Sequence, residues 1–125
     1  MRSNLLTRSS GKDHFLGRWR IVESEMWDRD ALDLVVPAHI TFGKGGLGEI
    51  ELIAIGASID FRVEDRDGAP RVEFSWSGYD GSDQACGRGW ACLAGEMLTG
   101  QLFIYQGDDS TFVARKEAGR RARAD

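Results

Sequence analysis

The chain has 125 residues, enough for one domain, since a typical domain has about 150 residues. Hydrophobic residues make up 42% of the sequence and charged residues 29%, a balance typical of globular proteins. The longest apolar run, Leu52 to Ala57, is far shorter than the ~18 residues that a transmembrane helix needs. These figures exclude a disordered chain and a helical membrane protein.

Charge is distributed unevenly along the sequence, whose net charge is −4. Residues 1–12 carry a charge of +3 and residues 118–125 a charge of +2, which leaves −9 for residues 13–117. An acidic body of this size repels phosphate backbones, so we expect no nucleic-acid partner. The two basic ends contain few residues to bury, and we predict flexible tails at 1–13 and 118–125 around a folded domain at 14–117.

Two cysteines, Cys86 and Cys92, lie six positions apart without the Cys-x-x-Cys spacing of a metal or redox site. We expect free thiols, with a local disulfide as the alternative. The aspartates at 28, 30 and 33 lack the glycine and terminal glutamate of a calcium loop, so neither a metal nor a cofactor is predicted. Only Leu5 and Leu6 stand where a secretion signal has an apolar core of ~7–15 residues. We therefore expect a cytoplasmic protein with no membrane partner.

From residue 15 onward, short stretches of alternating apolar and polar residues are separated by turns rich in glycine and aspartate, which is the pattern of β-strands. Between the first two strands, Trp27 to Pro37 departs from this period, and Asp28 or Asp30 is placed to cap a short helical turn there. Further turns are predicted at Asp67 to Pro70 and over the loop Asp80 to Gly87. The eight predicted strands are Phe15–Ser24, His39–Gly43, Glu49–Ala57, Ile59–Glu64, Arg71–Trp76, Arg88–Leu93, Leu98–Ile104 and Thr111–Lys116.

For two predicted strands, the sequence does not determine which face points into the barrel. In the third, Ile53 falls on the face opposite to Leu52, which predicts a bulge at Gly56 or a cover from outside. In the sixth, the pair Trp90 and Cys92 and the pair Ala91 and Leu93 are equally suited to the interior.

Short connections between successive strands favour antiparallel neighbours. Eight such strands hide their edges by closing into an up-and-down β-barrel, and a β-sandwich is the alternative. Glycines inside three strands, Gly17, Gly56 and Gly100, favour the barrel because closure needs sharp coiling. We predict an all-β, eight-stranded antiparallel barrel with a short helical turn after strand one.

The sequence resembles the calycins, the lipocalin-type and avidin-type barrels. Their first strand carries Gly-x-Trp, matched here by Gly17-Arg18-Trp19, and their last strand carries an Arg over that Trp, matched by Arg115. The resemblance implies structural roles for Gly17, Trp19 and Arg115, and a lid formed by the loop after strand one. The chain departs from the secreted lipocalins in its cysteine pattern.

The sequence also resembles a group of short, uncharacterised bacterial proteins. The shared segments are 72–76 (Val-Glu-Phe-Ser-Trp), 87–90 (Gly-Arg-Gly-Trp) and 107–110 (Gly-Asp-Asp-Ser). This resemblance implies a bacterial source and transfers no catalytic residue.

The many aromatic residues indicate either a filled barrel interior or a mouth where an apolar or aromatic ligand stacks. A working pocket is predicted at the end of the barrel opposite Trp19, closed by the Trp27 loop, with Trp76 as the inward aromatic nearest to it. The candidate ligand-binding residues are Trp27, His39, Arg62, Glu73, Trp76, Trp90 and Tyr105.

The leading functional hypothesis is a barrel, monomeric or dimeric, that binds a small apolar or aromatic molecule without chemistry, and no catalytic residue is predicted. One alternative is an enzyme on the same fold that uses His39 or a pocket carboxylate as acid or base. The other is a protein-interaction module with an acidic surface.

Overall fold

A computed structural model describes residues 13–117. The flexible tails predicted at 1–13 and 118–125 lie outside the described residues, except for Asp13. The described chain forms eight strands, preceded by a helical turn at 13–15. A four-residue helix, α1 (Arg29–Leu32), follows the first strand, and a 3-10 turn (Lys44–Gly46) follows the second. The strands are β1 (Gly17–Ser24), β2 (His39–Phe42), β3 (Leu47–Leu52), β4 (Ile55–Arg66), β5 (Ala69–Asp80), β6 (Asp83–Ala94), β7 (Met97–Ile104) and β8 (Asp109–Lys116).

The strands form a closed antiparallel barrel in sequence order, which confirms the predicted fold and excludes the sandwich. Closure pairs the last strand with the first, where Trp19 lies opposite Lys116 and Ile21 opposite Ala114. Because every strand has two partners, the sheet has no exposed edge. Within residues 13–117, no helix is long and apolar enough to cross a membrane.

The third predicted strand is wrong in its second half. The chain turns at Ile53 and Ala54, and the register Leu52 opposite Ile55 closes a tight hairpin instead of a bulged strand at Gly56. Ile53 adopts a φ of 49°, a left-handed conformation that is uncommon for a β-branched residue, so no turn signal marks this position in the sequence. Its backbone N–H donates to the carbonyl of Leu32 at 2.8 Å, which ties the hairpin to α1.

The predicted loop Asp80 to Gly87 is also wrong, because β5 and β6 continue to a two-residue turn at Gly81 and Ser82. The turn between β4 and β5 is likewise narrower than predicted, since only Asp67 and Gly68 lie outside the strands. As a result β4, β5 and β6 are twelve residues long and form the largest continuous part of the sheet.

The structure shows which face of β6 points into the barrel. Gly89 and Ala91 are buried inside the barrel, while Trp90 and Cys92 point outward. The reason lies in β5, where Phe74 is paired with Gly89. A Cβ on Gly89 would lie 2.3 Å from the Phe74 ring, so this strand contributes backbone where its neighbour contributes a large side chain.

Side chains fill the barrel interior. Phe42 contacts the rings of Phe15, Phe61 and Phe74 in edge-to-face geometry, with centroids 4.9 to 6.5 Å apart. The other buried apolar side chains are Trp19, Ile21, Leu32, Ala38, Ile40, Ile50, Leu52, Ile55, Ile59, Val72, Trp76, Ala91, Leu98, Leu102, Phe112 and Ala114.

The two ends of the barrel are covered differently. At one end, called here the Trp19 end, Phe15 is fully buried below the start of β1. At the other, called the lid end, α1 buries Leu32, and Asp28 caps this helix by accepting a hydrogen bond from the Ala31 N–H at 2.9 Å. This confirms the predicted helical turn and its cap.

Candidate functional site

Three of the seven candidate ligand-binding residues, Arg62, Glu73 and Trp90, meet in one groove of about 490 Å³ on the outer face of the barrel. Strand register explains why they meet. Arg62 on β4 lies opposite Glu73 on β5, which in turn lies opposite Trp90 on β6. Side chains that point outward at paired positions form a cross-strand row.

A second row lies one step along the same strands. Asp60, Ser75, Arg88 and Phe103 are paired in succession across β4 to β7, and all four line the groove. Such rows are about 6.5 Å apart, because side chains on one face of a strand alternate with those on the other. The groove therefore spans two rows, one with Trp90 and one with Phe103 as its aromatic member.

The groove has an excess of positive charge in an otherwise acidic domain. Its lining contains the four arginines Arg62, Arg66, Arg71 and Arg88 against the two carboxylates Asp60 and Glu73.

Glu73 forms ion pairs with two of these arginines. Arg66 donates to Glu73 Oε2 at 3.2 Å, and the Arg71 Nε lies 3.5 Å from the same oxygen. Among residues 13–117, no carboxylate lies within 4.0 Å of the charged groups of Arg62 or Arg88. The groove thus keeps two arginines available for an anion.

Arg71 and Trp90 form a stacked pair at the floor of the groove. The Arg71 guanidinium carbon lies 4.3 Å from the centroid of the Trp90 ring, within the range of a cation–π contact. The Arg71 Nε is buried without a hydrogen-bond partner in the described part of the chain. Trp90 and the Glu73 carboxylate, 3.5 Å from this Nε, together hold the Arg71 guanidinium in place.

The structure places Trp76 in the barrel core. Its side chain is 2% exposed, and its indole Nε1 donates to the carbonyl of Phe103 at 3.3 Å. Gly87, paired with Trp76, leaves the space that this ring fills, since a Cβ there would lie 2.8 Å from the indole Nε1.

His39 lies apart from the groove, on the outer face of β2, and is only 3% exposed. Its Nδ1 is 2.9 Å from the carbonyl of Pro37 and 3.1 Å from a nitrogen of Arg18. Its Nε2 has no hydrogen-bond partner among the described residues and faces carboxylate oxygens of Glu49 at 3.4 Å and Glu51 at 4.0 Å. The side chain is therefore covered by charged neighbours on the opposite part of the sheet from Trp90.

Trp27 and Tyr105 belong to the lid end. Trp27 is half-buried against the core, and Tyr105 is 68% exposed in the turn between β7 and β8. Tyr105 lines a depression of about 750 Å³ together with Tyr79 and the exposed residue Cys86. Cys86 and Cys92 are both free, as predicted.

The structural role expected of Arg115 belongs to Lys116. Trp19 is 3% exposed and its indole nitrogen donates to the carbonyl of Phe15 at 2.9 Å. Lys116, paired with Trp19, points inward and places its Nζ 4.7 Å from the centroid of the Trp19 ring. Arg115 is paired with Arg20 and points outward, because successive side chains of a strand alternate between its faces.

Gly17 has a φ of 115°, in the region that favours glycine. A Cβ at this position would lie 3.1 Å from Cε of Lys116, so the glycine also leaves room for that side chain.

Sequence reasoning missed Arg66, Arg71 and Arg88 as members of the groove. Only Arg71 stands on a strand whose outward face the sequence predicts. Arg66 lies beyond the predicted end of β4, and the sequence does not determine which face of β6 carries Arg88. The proximity of the three arginines depends on the register of β4, β5 and β6. The described residues contain no group of three His, Cys, Asp or Glu side chains placed to hold a metal ion.

A scan against protein-family models finds no match, and a search of curated proteins finds no similar sequence. The geometry of the barrel is therefore the basis for a functional assignment.

Proposed function

We propose that the protein binds a small planar aromatic anion in the groove formed by the outward rows of β4 to β7, without chemistry. The observation that carries this proposal is the convergence of Arg62 and Arg88, which lack carboxylate partners within residues 13–117, with Trp90 in one concave site. Guanidinium groups match carboxylate and phosphate oxygens in charge and geometry, and the indole offers an apolar surface for a flat ring.

The dimensions of the groove suit a ligand of this size. A volume of about 490 Å³ falls in the range of small-molecule sites. The groove is open to solvent on one side, and we expect affinities in the micromolar range, because a small ligand has few atoms with which to offset the cost of binding.

Isothermal titration calorimetry with 2-naphthoate, and with the uncharged 2-naphthamide as control ligand, tests the proposal. The Arg62→Gln, Arg88→Gln double variant is expected to weaken naphthoate binding about 10- to 100-fold, the loss of one or two charge-assisted hydrogen bonds. Arg29→Gln is the matched control, because Arg29 is an exposed arginine of α1, away from the groove. Equal binding of the amide, or an unchanged Kd in the double variant, would refute the proposal.

A second candidate function, protein interaction, is favoured by the exposed apolar side chains of the lid loop. Met26 is 45% exposed, Leu34 66% and Val35 68%. Sedimentation velocity of the parent and of a Leu34→Ser, Val35→Ser variant tests self-association through this loop. A parent protein that stays monomeric at all concentrations would exclude self-association through this loop.

Kinship with the calycins and action in the cytoplasm remain parts of the proposal. The first is supported by the closed eight-stranded barrel with Gly17 and Trp19 at the start of β1, and by a cation over the Trp19 ring. The second is supported by the two unpaired cysteines, since free thiols are common in reducing compartments.

A further inference from the structure

A second cavity, of about 620 Å³, opens at the Trp19 end of the barrel, away from the arginine groove. Its apolar lining comes from Trp19 of β1, Leu93 at the end of β6 and Met97 at the start of β7. Lys116, the last residue of β8, lines the same cavity. The site therefore combines an apolar wall with one primary amine.

The position of this amine is set by the barrel closure. Because Lys116 pairs with the inward-facing Trp19, its side chain lies over the end of the barrel beside Trp19, where it is half-buried. The Nζ donates to the carbonyl of Leu16 and lies over the Trp19 ring, two contacts that hold the amine at the cavity wall. A held amine loses less conformational freedom when it reacts.

Partial burial makes the Lys116 ammonium easier to deprotonate. Burial lowers the pKa of the Lys116 ammonium below its ordinary value, because partial removal from water disfavours the charge. Among residues 13–117, no carboxylate lies within 4.0 Å of its Nζ to offset that effect. A neutral lysine amine in an apolar site is a nucleophile toward carbonyl carbons.

We propose that Lys116 is a covalent attachment site for aromatic or apolar aldehydes that enter the cavity at the Trp19 end. The neutral Nζ forms a C–N bond with the carbonyl carbon, and the π electrons of the C=O bond move to the oxygen, which takes up a proton from water. The nitrogen loses one of its two protons to water, which gives a neutral carbinolamine. The hydroxyl group then takes up a proton and leaves as water, and loss of the remaining N–H proton leaves a neutral C=N bond. The amine and the aldehyde thus become an imine and one water molecule, with no change of oxidation state.

The polar groups at the rim of the cavity are His14, Glu96 and Arg115. Apolar surface from Leu93, Met97 and Trp19 dominates the wall beside the amine, so the aldehyde body is expected to be a ring or a short hydrocarbon.

The sequence offers an internal reference for the test, because it contains just three lysines, Lys12, Lys44 and Lys116. Lys44 is exposed in the 3-10 turn between β2 and β3. The full chain is incubated with benzaldehyde and cyanoborohydride at pH 7.5, and peptide mass spectrometry measures the rate of benzylation at each amine. Lys116 is expected to react about tenfold faster than Lys44, with a rate that saturates as benzaldehyde is raised.

Two variants make the result specific. Lys116→Arg keeps a cation over Trp19 and removes the amine, so only the rapid benzylation should disappear. Met97→Gln keeps the amine and makes the wall polar, so saturation should shift to higher benzaldehyde concentration. Thermal unfolding of both variants checks that the barrel is intact. A benzylation rate of Lys116 equal to or below that of Lys44 overturns the proposal. A Lys116 rate that stays linear in benzaldehyde concentration and is unchanged by Met97→Gln overturns the role of the cavity.

Discussion

The shortest ion pair among the described residues joins Arg20 to Asp33 at the end of α1. Replacing Asp33 by asparagine is expected to loosen the loop between β1 and β2. Arg20 donates from both terminal nitrogens to Asp33, at 3.0 and 2.9 Å, and the Ala38 N–H donates to the same carboxylate at 2.8 Å. Asp33 ends α1, whereas Arg20 lies on β1 and Ala38 just before β2. One carboxylate therefore joins the lid to two strands.

The size of the effect follows from the hydrogen bonds and their exposure. In the Asp33→Asn variant, the side-chain amide would keep one acceptor oxygen but turn an N–H₂ group toward the Arg20 guanidinium, so at least one charge-assisted bond is lost. Such bonds contribute about 1.5–3 kcal/mol when buried, and fully exposed ion pairs about 0–1 kcal/mol. The two side chains are 24% and 26% exposed, which places the expected cost of Asp33→Asn at about 1–2 kcal/mol.

The effect should depend on pH in a defined direction. The hydrogen bonds from Arg20, followed by that from the Ala38 N–H, lower the pKa of Asp33 below its ordinary value of 3.8. A carboxyl with a depressed pKa in the folded state adds stability that is fully present above 3.8 and is lost as the pH falls through the folded value. The difference between parent and Asp33→Asn should therefore be constant from pH 7 to 5 and shrink below pH 4.

Urea unfolding followed by circular dichroism measures both quantities. Asp30→Asn serves as the control, because Asp30 is an exposed acid of the same helix. Equal free energies of unfolding for the two variants at pH 7, or a difference that persists unchanged at the lowest pH where the parent is folded, would refute the reasoning.

Three further outcomes are expected. Trp19→Ala should lower the free energy of unfolding by ~3–5 kcal/mol, because it leaves a cavity in the core. Arg115→Ala should change it by no more than about 0.5 kcal/mol, because the Arg115 side chain is exposed. Similar losses for both variants in urea unfolding would contradict the assignment of the stacking cation to Lys116. Gly100→Ala should destabilise by ~1–3 kcal/mol, since a Cβ there would lie 2.1 Å from a β6 carbonyl oxygen, and an unchanged melting temperature would count against this packing. A maleimide reagent should label Cys86 before the half-buried Cys92, and reversed order by peptide mapping would contradict the outward, open position of Cys86.

Alternation of apolar and polar residues predicts the strands, and the short connections and the glycines inside strands favour a closed barrel over a sandwich. The inward faces of β5 and β7 follow directly from the alternation, as Phe74 and Trp76 show for β5 and Leu98 and Leu102 for β7. The hairpin at Ile53 was not predictable, because an isoleucine with positive φ carries no turn signal and is held there by a contact with α1.

The errors at the Trp19 end and in the groove have a common cause, which is register. Whether Arg115 or Lys116 stacks on Trp19 depends on a one-residue difference in how β8 pairs with β1, and that pairing contains an irregularity between Ile21 and Glu23. Likewise, the sequence predicts Arg62, Glu73 and Trp90 as separate candidates, and only the registers of three strands bring them together. Register between distant strands is set by tertiary packing, which a single sequence does not display.

The pairing of β1 with β8 also has a consequence for how the chain folds. Each of the other seven pairings joins strands that are neighbours in sequence. Each can therefore form from local contacts. The pairing of β1 with β8, called here the seam, joins residues 19 and 116, which lie nearly the whole described length apart. Its loop-closure entropy is therefore the largest of the eight strand pairings. Formation of the seam buries Trp19 under Lys116 at the same time as it removes the last two free edges. We therefore expect the pairing of β1 with β8 to form last. Before it forms, β1 and β8 would be free edges able to pair with another chain, and aggregation would compete with folding at that stage.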